Sequence, residues 1–501
     1  MAISTSMSRR SFVATAAATA ATGIALGTAT ANADEAKTDG ATSGDTLECD
    51  VLVCGLGASG ATAAVAAARG GAKVIAIETA DDITGAGGTS HCTAPAMFGS
   101  KAQNEANPDV PVTEQDAFEY LYPLTHYQEN GLLLREMIRR SGIVVDEMVA
   151  AGFPFMFANT TVDADAPFKN KCGCIYTVRG AERGALWEAM WDEAGVDYRY
   201  GTTAESAILA DDGTLAGIHC TTADGDLDIH AKRVILCCGG FISNTEMVKQ
   251  YCNYTLEHDM FDFLVPGIMG DGIRMAWEIG AGHGRMEMER TGGSPLPGAK
   301  LGKYPQSGMF RNAGAIAVNK LGYRCCDESV LQNTSVAGNI IDYQKDRTMY
   351  RILSSSAIKH YRRNGPDFPN EVFHDDPAEN FEEEWEKIAA EHPTIAYAAN
   401  SPEELAEKIG MPVDTFVETI ERYNDQCDQN YDDDFCKSRE YLVPLTGKKF
   451  YALRFAPGAY GSLGGIKINH KLQVITDDYE VIEGLYGAGS DVCELYNGTY
   501  Y

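Results

Sequence analysis

The sequence predicts an α/β protein built around a doubly wound, mostly parallel sheet, and three observations carry that prediction. An apolar strand at Asp50–Cys54 is followed by a glycine-rich turn, a helix of small residues and a second apolar strand at Lys73–Ile77. A further apolar strand, Arg233–Phe241, contains the closing pair Gly239-Gly240. A last one begins at Glu483 and ends on Gly487-Ala488-Gly489-Ser490, which returns the chain to the sheet. The 501 residues exceed what one core usually holds, so two or three domains are expected. With 45% hydrophobic and 22% charged residues, disorder is disfavoured, and past the N-terminus no apolar run has the length of a membrane span. A formal charge of -30 repels phosphate backbones and anionic bilayers, which argues against nucleic acid as a partner.

The first strand, turn and helix have a specific chemistry. Gly55-Leu56-Gly57-Ala58-Ser59-Gly60 lies between the strand Asp50–Cys54 and the helix Ala61–Ala68, and Gly70-Gly71 ends that helix. Glycines in this register let the backbone turn sharply and approach a pyrophosphate, whose charge is stabilised by the helix N-terminus. Glu78, at the end of the second strand, is placed to accept hydrogen bonds from ribose hydroxyls. The unit is therefore read as Rossmann-like and dinucleotide-binding. A second glycine run, Gly85-Ala86-Gly87-Gly88-Thr89-Ser90, offers backbone and small hydroxyls to a ribityl chain and a flavin ring, which a nicotinamide domain does not need. This points to FAD. Gly270-Asp271-Gly272 opens a further helical run to Ala281.

Together these segments resemble the flavoprotein family of fumarate reductases and succinate dehydrogenase flavin subunits, including its secreted bacterial members, over roughly residues 49–501. Ala313–Arg324 is similar to the family's hairpin before its substrate-facing segment. Ser401-Pro402, an N-cap followed by a first-turn proline, and the helix Val413–Tyr423 are similar to its capping domain. The resemblance implies an FAD-binding domain at 49–288 and 461–501, with an α+β capping domain at 289–460 inserted into it. It implies FAD contacts from Gly55, Gly57, Ala58, Ser59, Gly60 and Glu78, from Gly87, Gly88, Thr89 and Ser90, and from Ala204, Cys238, Gly239, Gly240, Asp271, Gly489 and Ser490. The activity implied is hydride transfer between flavin and a carbon–carbon bond conjugated to a carbonyl.

The residues that grip fumarate in this family are largely replaced. Where family members follow the hairpin with Asn-Glu and then a proton-delivering Arg, this chain has Asp327-Glu328 and then Gln332-Asn333. Ser307-Gly308 stands in place of a Thr-Glu pair, Tyr460-Gly461-Ser462 in place of His-His-Thr, and the cap's first His is absent around Glu289-Arg290-Thr291. A dianion in such a site would be desolvated and unpaired. A neutral enone or unsaturated lactone needs only one or two hydrogen bonds and an apolar surface. Tyr460, Gln332 and Asn333 are the candidate catalytic residues, while a Tyr460 that merely packs at the domain seam is the structural alternative. Within the family the chain looks most like the exported reductases of gut Actinobacteria. A ketosteroid-type dehydrogenase running in the opposite direction, or a non-catalytic flavin or ligand binder, are the other readings.

The N-terminus reads as an address. Ser8-Arg9-Arg10-Ser11-Phe12, an Ala/Thr-rich run and Ala31-Asn32-Ala33 match a twin-arginine export signal with cleavage after residue 33, and residues 34–48 read as a linker. Removing that signal takes the formal charge from -30 to -32, because it holds Arg9 and Arg10 and no acid. Fourteen cysteines include no ferredoxin-like run, so buried thiols or a few disulfides are expected, and a [4Fe-4S] cluster on scattered ligands such as Cys172 and Cys174 is the alternative. Electrons would come from a separate cytochrome or membrane quinol system, with Glu379–Glu386 and Asp432-Asp433-Asp434 as acidic docking candidates. The resemblance implies a further loop and helix over the flavin after Asn497-Gly498, so either the sequence is a fragment or the flavin site is expected to be shortened.

Overall fold

The computed structural model describes residues 45–87, 100–106, 108, 111–158, 173–262, 267–297, 303–368, 380–492 and 494–496. In chain order the strands are β1 (Asp45–Cys54), β2 (Val74–Ile77), β3 (Phe155–Ala158), β4 (Gly173–Tyr176), β5 (Asp197–Arg199), β6 (Thr202–Leu209), β7 (Leu215–Thr222) and β8 (Gly225–Leu236). They continue with β9 (Phe261–Asp262), β10 (His283–Gly293), β11 (Ile316–Asn319), β12 (Met349–Ser354), β13 (Ala396–Ala399), β14 (Phe450–Ile466), β15 (Gln473–Ile475) and β16 (Val481–Gly487). Strands β5, β2, β1, β8 and β16 lie side by side and parallel. A meander of β6 and β7 pairs antiparallel onto the first half of β8, and β15 closes the far edge. Val74, Ile75, Ala76 and Ile77 are all buried, as a parallel strand covered on both faces requires. The helix Ala58–Arg69 is built from small residues, so it packs close to the sheet, and the indole of fully buried Trp191 donates to the Ala61 carbonyl at 3.3 Å.

Register places the functional edge. Cys54 pairs with Ile77 and with Leu236, and Leu236 with Gly487, so four strands end at one level. The turns that leave this edge begin at Gly55, Glu78, Cys237 and Ala488. Cross-strand bonds from Gly55 N to Ile77 O at 2.8 Å, Cys237 N to Cys54 O at 2.8 Å and Ala488 N to Leu236 O at 2.9 Å tie them together. Asp45–Glu48, expected in the linker, instead extend β1 in parallel register with Leu227–His230, because that half of β8 offers unpaired backbone groups.

The second sheet, β10-β14-β12-β11 with β13 and β9 alongside β14, carries the cap. Its core buries Phe310, Phe381, Trp385 and Tyr451, with the Phe381 and Trp385 rings stacked at 5.6 Å. The expected boundaries after residues 288 and 460 fall inside β10 and β14, which pair with each other, so a continuous ribbon joins cap and flavin domain. The hairpin at Ala313–Arg324 is anchored by a buried ionic cluster. Glu328 is bound by Lys437 at 2.8 Å and Arg324 at 2.8 Å, and Arg324 also meets Asp432 at 2.8 Å. Burial pushes the Glu328 carboxyl up, but Lys437 and Arg324 hold it below its ordinary range. Within the acidic triplet Asp432 is a buried counterion, and Asp433 and Asp434 bind Arg422 at the surface. Of the other stretch, Glu382 pairs with Arg362, Glu383 and Glu384 with Lys387, and Glu386 with Lys449.

Breaking one member of a buried pair leaves an uncompensated charge. Lys437→Met should lower the unfolding free energy by about 3–5 kcal/mol in urea titrations. The double variant Lys437→Met with Glu328→Gln should recover part of that loss.

Candidate functional site

The glycine turn is shaped by contact. A Cβ on Gly60 would lie 1.8 Å from the Gly55 carbonyl oxygen, so only glycine lets the helix start this close to β1. A Cβ on Gly57 would meet nothing nearer than 3.7 Å, and its φ of -66° suits any residue. The fold tolerates a side chain at 57; the space above it is kept for something else. Gly57 caps the helix without a side-chain acceptor, which leaves amides at the helix start directed outward. Glu78 is buried, and its carboxylate accepts from Leu56 N at 2.9 Å and Ala80 N at 3.1 Å, fixing it at the mouth of the turn with lone pairs to spare. Ala204 lies on β6 beside Thr203, whose hydroxyl meets that of Thr79 at 2.6 Å, so it borders the same mouth.

Opposite this turn, Cys238, Gly239 and Gly240 form a backbone cradle. Asp491, fully buried, takes the amides of Cys238 at 2.5 Å and Gly240 at 2.8 Å. Burial pushes its carboxyl up to about 6 against the opposing pull of those amides. A Cβ on Gly240 would sit 2.4 Å from Ser462 Oγ, and that hydroxyl accepts from Phe241 N at 2.6 Å, joining the cradle to β14. Gly489 and Ser490 begin the short turn that delivers Asp491, with Gly489 against Ser59. Asp271, first in the helix Asp271–Glu278, is pushed up by burial and held down by its bond to Arg274. Asp491 escaped the sequence reading. Its signal is an acid one residue past the glycine turn of the return strand.

The seam between the domains is the ribbon β10–β14. Met288 pairs with Ser462 and Arg290 with Ala459, so Tyr460 and Gly461 together oppose the single residue Glu289 in a β-bulge. The helix Thr334–Tyr343 covers one face of β10: a Cβ on Gly292 would touch Ala337 Cβ at 2.5 Å, and Arg290 meets Asp342 at 3.2 Å. Glu289 and Thr291 point to the other face, 6% and 2% exposed. Tyr496 lies within electrostatic reach of Glu289 and Glu129; burial, then those two carboxyls, push its phenol up. Glu129 is held there by its neighbour Asn130, whose N–H donates to the Glu494 carbonyl at 2.8 Å.

The three predicted catalytic residues stand on two elements, Tyr460 on β14 and the adjacent Gln332 and Asn333 just before the helix Thr334–Tyr343. Tyr460 is at the seam, half-buried. Gln332 donates its amide to the Arg311 carbonyl, and Asn333 caps the helix Thr334–Tyr343 by accepting from Ser335 N at 3.1 Å and Val336 N at 3.2 Å. Ser307 bonds the Tyr304 carbonyl at 2.7 Å. Gly87 lies against Gly57, whereas Gly88, Thr89, Ser90 and Cys172 lie outside the described residues. Cys49, Cys54, Cys220, Cys237, Cys238 and Cys252 of the flavin domain are free thiols, and burial pushes Cys54 and Cys238 well up and Cys237 to about 12, away from the thiolate that ligation needs. Among the described residues no group of three or more His, Cys, Asp or Glu is placed to hold a metal ion, and no helix is long and apolar enough to cross a membrane.

An extended dinucleotide fits the helix start at Gly57, the Glu78 carboxylate and the cradle at Cys238–Gly240. A family model described as FAD binding domain matches residues 50–501, and the chain belongs to this fumarate reductase-like family of flavoproteins. It is an FAD-dependent oxidoreductase. It is 28% identical over 467 residues to a vinyl phenol reductase of Lactiplantibacillus plantarum, covering 90% of this chain and 91% of that protein. It is 26% identical over 490 residues to a digoxin reductase of Eggerthella lenta, covering 91% and 83%. The fold is shared with a 3-ketosteroid-Δ4-(5α)-dehydrogenase from Rhodococcus jostii RHA1, at a TM-score of 0.69 and 19% identity over 91% of this chain and 92% of that one.

Two outcomes follow from this geometry. Gly57→Ala should fold with an unchanged melting temperature in the apo form yet bind FAD at least ~10-fold more weakly in fluorescence titrations, because its methyl occupies only the ligand's space. Burial raises Glu289 from 4.5 to about 8, so the folded protein holds a proton that the unfolded chain releases, and stability falls as pH rises through that window. Glu289→Gln should match the parent at pH 4 and exceed it above pH 8 by roughly 4 kcal/mol, read by melting at each pH.

Proposed function

We propose that this protein is an exported FAD-dependent reductase that adds a hydride and a proton across the carbon–carbon double bond of a neutral α,β-unsaturated carbonyl compound or lactone, of cardenolide, steroid or plant type. The observation that carries this reading is the lining of the seam. Glu289 and Glu129 both lie within electrostatic reach of Tyr496 there, Thr291 shares the Glu289 face of β10 with Tyr460 opposite in the bulge, and the arginines of that strand are already engaged, Arg285 by Gln128 and Arg290 by Asp342. A dicarboxylate would meet carboxyls and phenols, whereas a neutral carbonyl can accept hydrogen bonds from the same groups. Vinyl phenol and digoxin, the compounds named for two relatives, are uncharged molecules as well.

Bound FAD, once reduced, would supply the hydride, which carries both electrons of the reduction. The helix start at Gly57 would hold its pyrophosphate, Glu78 its ribose, and the turns at Cys238–Gly240 and Gly489–Asp491 would enclose the adjoining chain. Tyr460 and Tyr496 would orient the substrate carbonyl by donating from their phenols. The export signal ending at Ala33 supports a place outside the cytoplasm, and there a cytochrome or membrane quinol system would deliver the electrons. Xenobiotic lactones reach such a location without crossing the bilayer.

The test is anaerobic reoxidation of dithionite-reduced holoenzyme. A butenolide or an enone should restore the oxidised flavin spectrum at least ~10-fold faster than equimolar fumarate. Equal or faster reoxidation by fumarate would overturn the reading.

A further inference from the structure

We propose that Glu289 is the proton donor of this site, delivering its carboxyl hydrogen to the substrate carbon that does not receive the hydride. The inference rests on the reductase reading above and names the acid that reading leaves open. Its ground is geometric. Glu289 is opposite the bulge at Tyr460-Gly461, on the face of β10 that the helix Thr334–Tyr343 leaves uncovered. It is 6% exposed, and among the described residues no hydrogen bond or ion pair reaches its carboxyl. Two residues along the same face, the Thr291 hydroxyl is 2% exposed and equally without a partner. The Thr291 hydroxyl, buried and unsatisfied, is costly unless a ligand completes it, and the unpaired Glu289 carboxyl lies on the same face. The ribbon that holds them runs one residue further to Ser462, whose hydroxyl binds the Gly239–Phe241 turn of the cofactor cradle.

The neighbouring groups leave Glu289 as the suitable acid. Tyr496 has its phenol pushed up, which makes it a hydrogen-bond donor and a poor acid. The amides of Gln332 and Asn333 are bonded elsewhere and carry no acidic proton near neutrality. The charged and titratable groups around Glu289 are Glu129 and Tyr496 from the facing segments, Tyr460 from β14, and Arg285, Glu287 and Arg290 on its own strand, with Arg285 bonded to Gln128 at 2.7 Å and Glu287 3.8 Å from Arg290. None offsets its burial, so the carboxyl stays protonated to about pH 8 and can still release the proton. Reduced FAD, when bound, would supply the hydride for the carbon β to the carbonyl. The electron pair of the C=C bond then takes the Glu289 proton at the α carbon. The alkene is reduced, the cofactor is oxidised, and the Glu289 carboxylate recovers a proton from solvent.

The experiment compares the parent, Glu289→Gln and Glu289→Asp as flavin-loaded proteins. With butenolide as oxidant, Glu289→Gln should reoxidise about 100-fold more slowly and lose the fall in rate near pH 8, while Glu289→Asp should regain part of the rate. Independently of turnover, infrared spectra at pH 7 should show a protonated-carboxyl C=O band that Glu289→Gln lacks. A Glu289→Gln rate within ~3-fold of the parent, or no such band, overturns the assignment. If the parent itself fails to react with any neutral alkene, the reductase reading falls, and the donor role falls with it, even with the band present.

Discussion

The alignment of four strand ends at Cys54, Ile77, Leu236 and Gly487 is the constraint on which the rest of this molecule depends. Parallel strands in register must all turn at the same edge, and each turn here exposes backbone amides that the sheet no longer uses. Three glycine-containing turns then face one another across a short gap. Asp491 makes the convergence mechanically coherent, because its carboxylate, carried by the last turn, accepts from the amides of Cys238 and Gly240 in the turn after β8. The buried strands on either side, Val74–Ile77 and Leu485 with Val234, add apolar packing to those polar contacts of the turns.

The cap is attached to this edge in an unusual sense. β10 and β14 belong to both bodies, so the junction is a hydrogen-bonded ribbon and not a pair of flexible linkers. Its bulge at Tyr460-Gly461 bends one strand where the two cores meet, and bulges of this kind re-aim side chains without breaking the ladder on either side. On the cap side, the cluster of Arg324, Glu328, Lys437 and Asp432 performs the same task electrostatically, pinning the hairpin at Ala313–Arg324 from several elements at once.

Much of this was legible in the sequence for a local reason. The turn Gly55–Gly60, Glu78 and the pair Gly239-Gly240 are each required by backbone geometry within a few residues, and local requirements leave local patterns. Ser401 as an N-cap is a further instance, accepting from Glu404 N at 3.2 Å. What could not be read depends on partners distant in the chain. Asn333 looks like a free amide in sequence and is spent as a cap; Asp432 looks like surface charge and is a buried counterion to Arg324. Glu289 shows the limit most clearly, since its chemistry comes from burial opposite a bulge, and neither is written in the residues beside it.

The acidity of the seam and the neutrality of the proposed substrate support each other quantitatively. At an effective dielectric near 20, a carboxylate about 5 Å from another negative charge is destabilised by roughly 3 kcal/mol, and a dicarboxylate substrate would bring two such charges toward Glu129 and Glu289. Glu289 can avoid part of that repulsion by staying protonated, yet the reaction asks it to give the proton up, so an anionic substrate would oppose the very step that consumes it. A neutral substrate removes this conflict: the carboxyl enters the reaction protonated because burial keeps it so, and the negative charge it acquires on donating is the only new charge formed there. Solvent then returns the proton after the product leaves, so under the proposed function the expected replacement of fumarate's cationic grips and the presence of a buried acid would serve the same substrate.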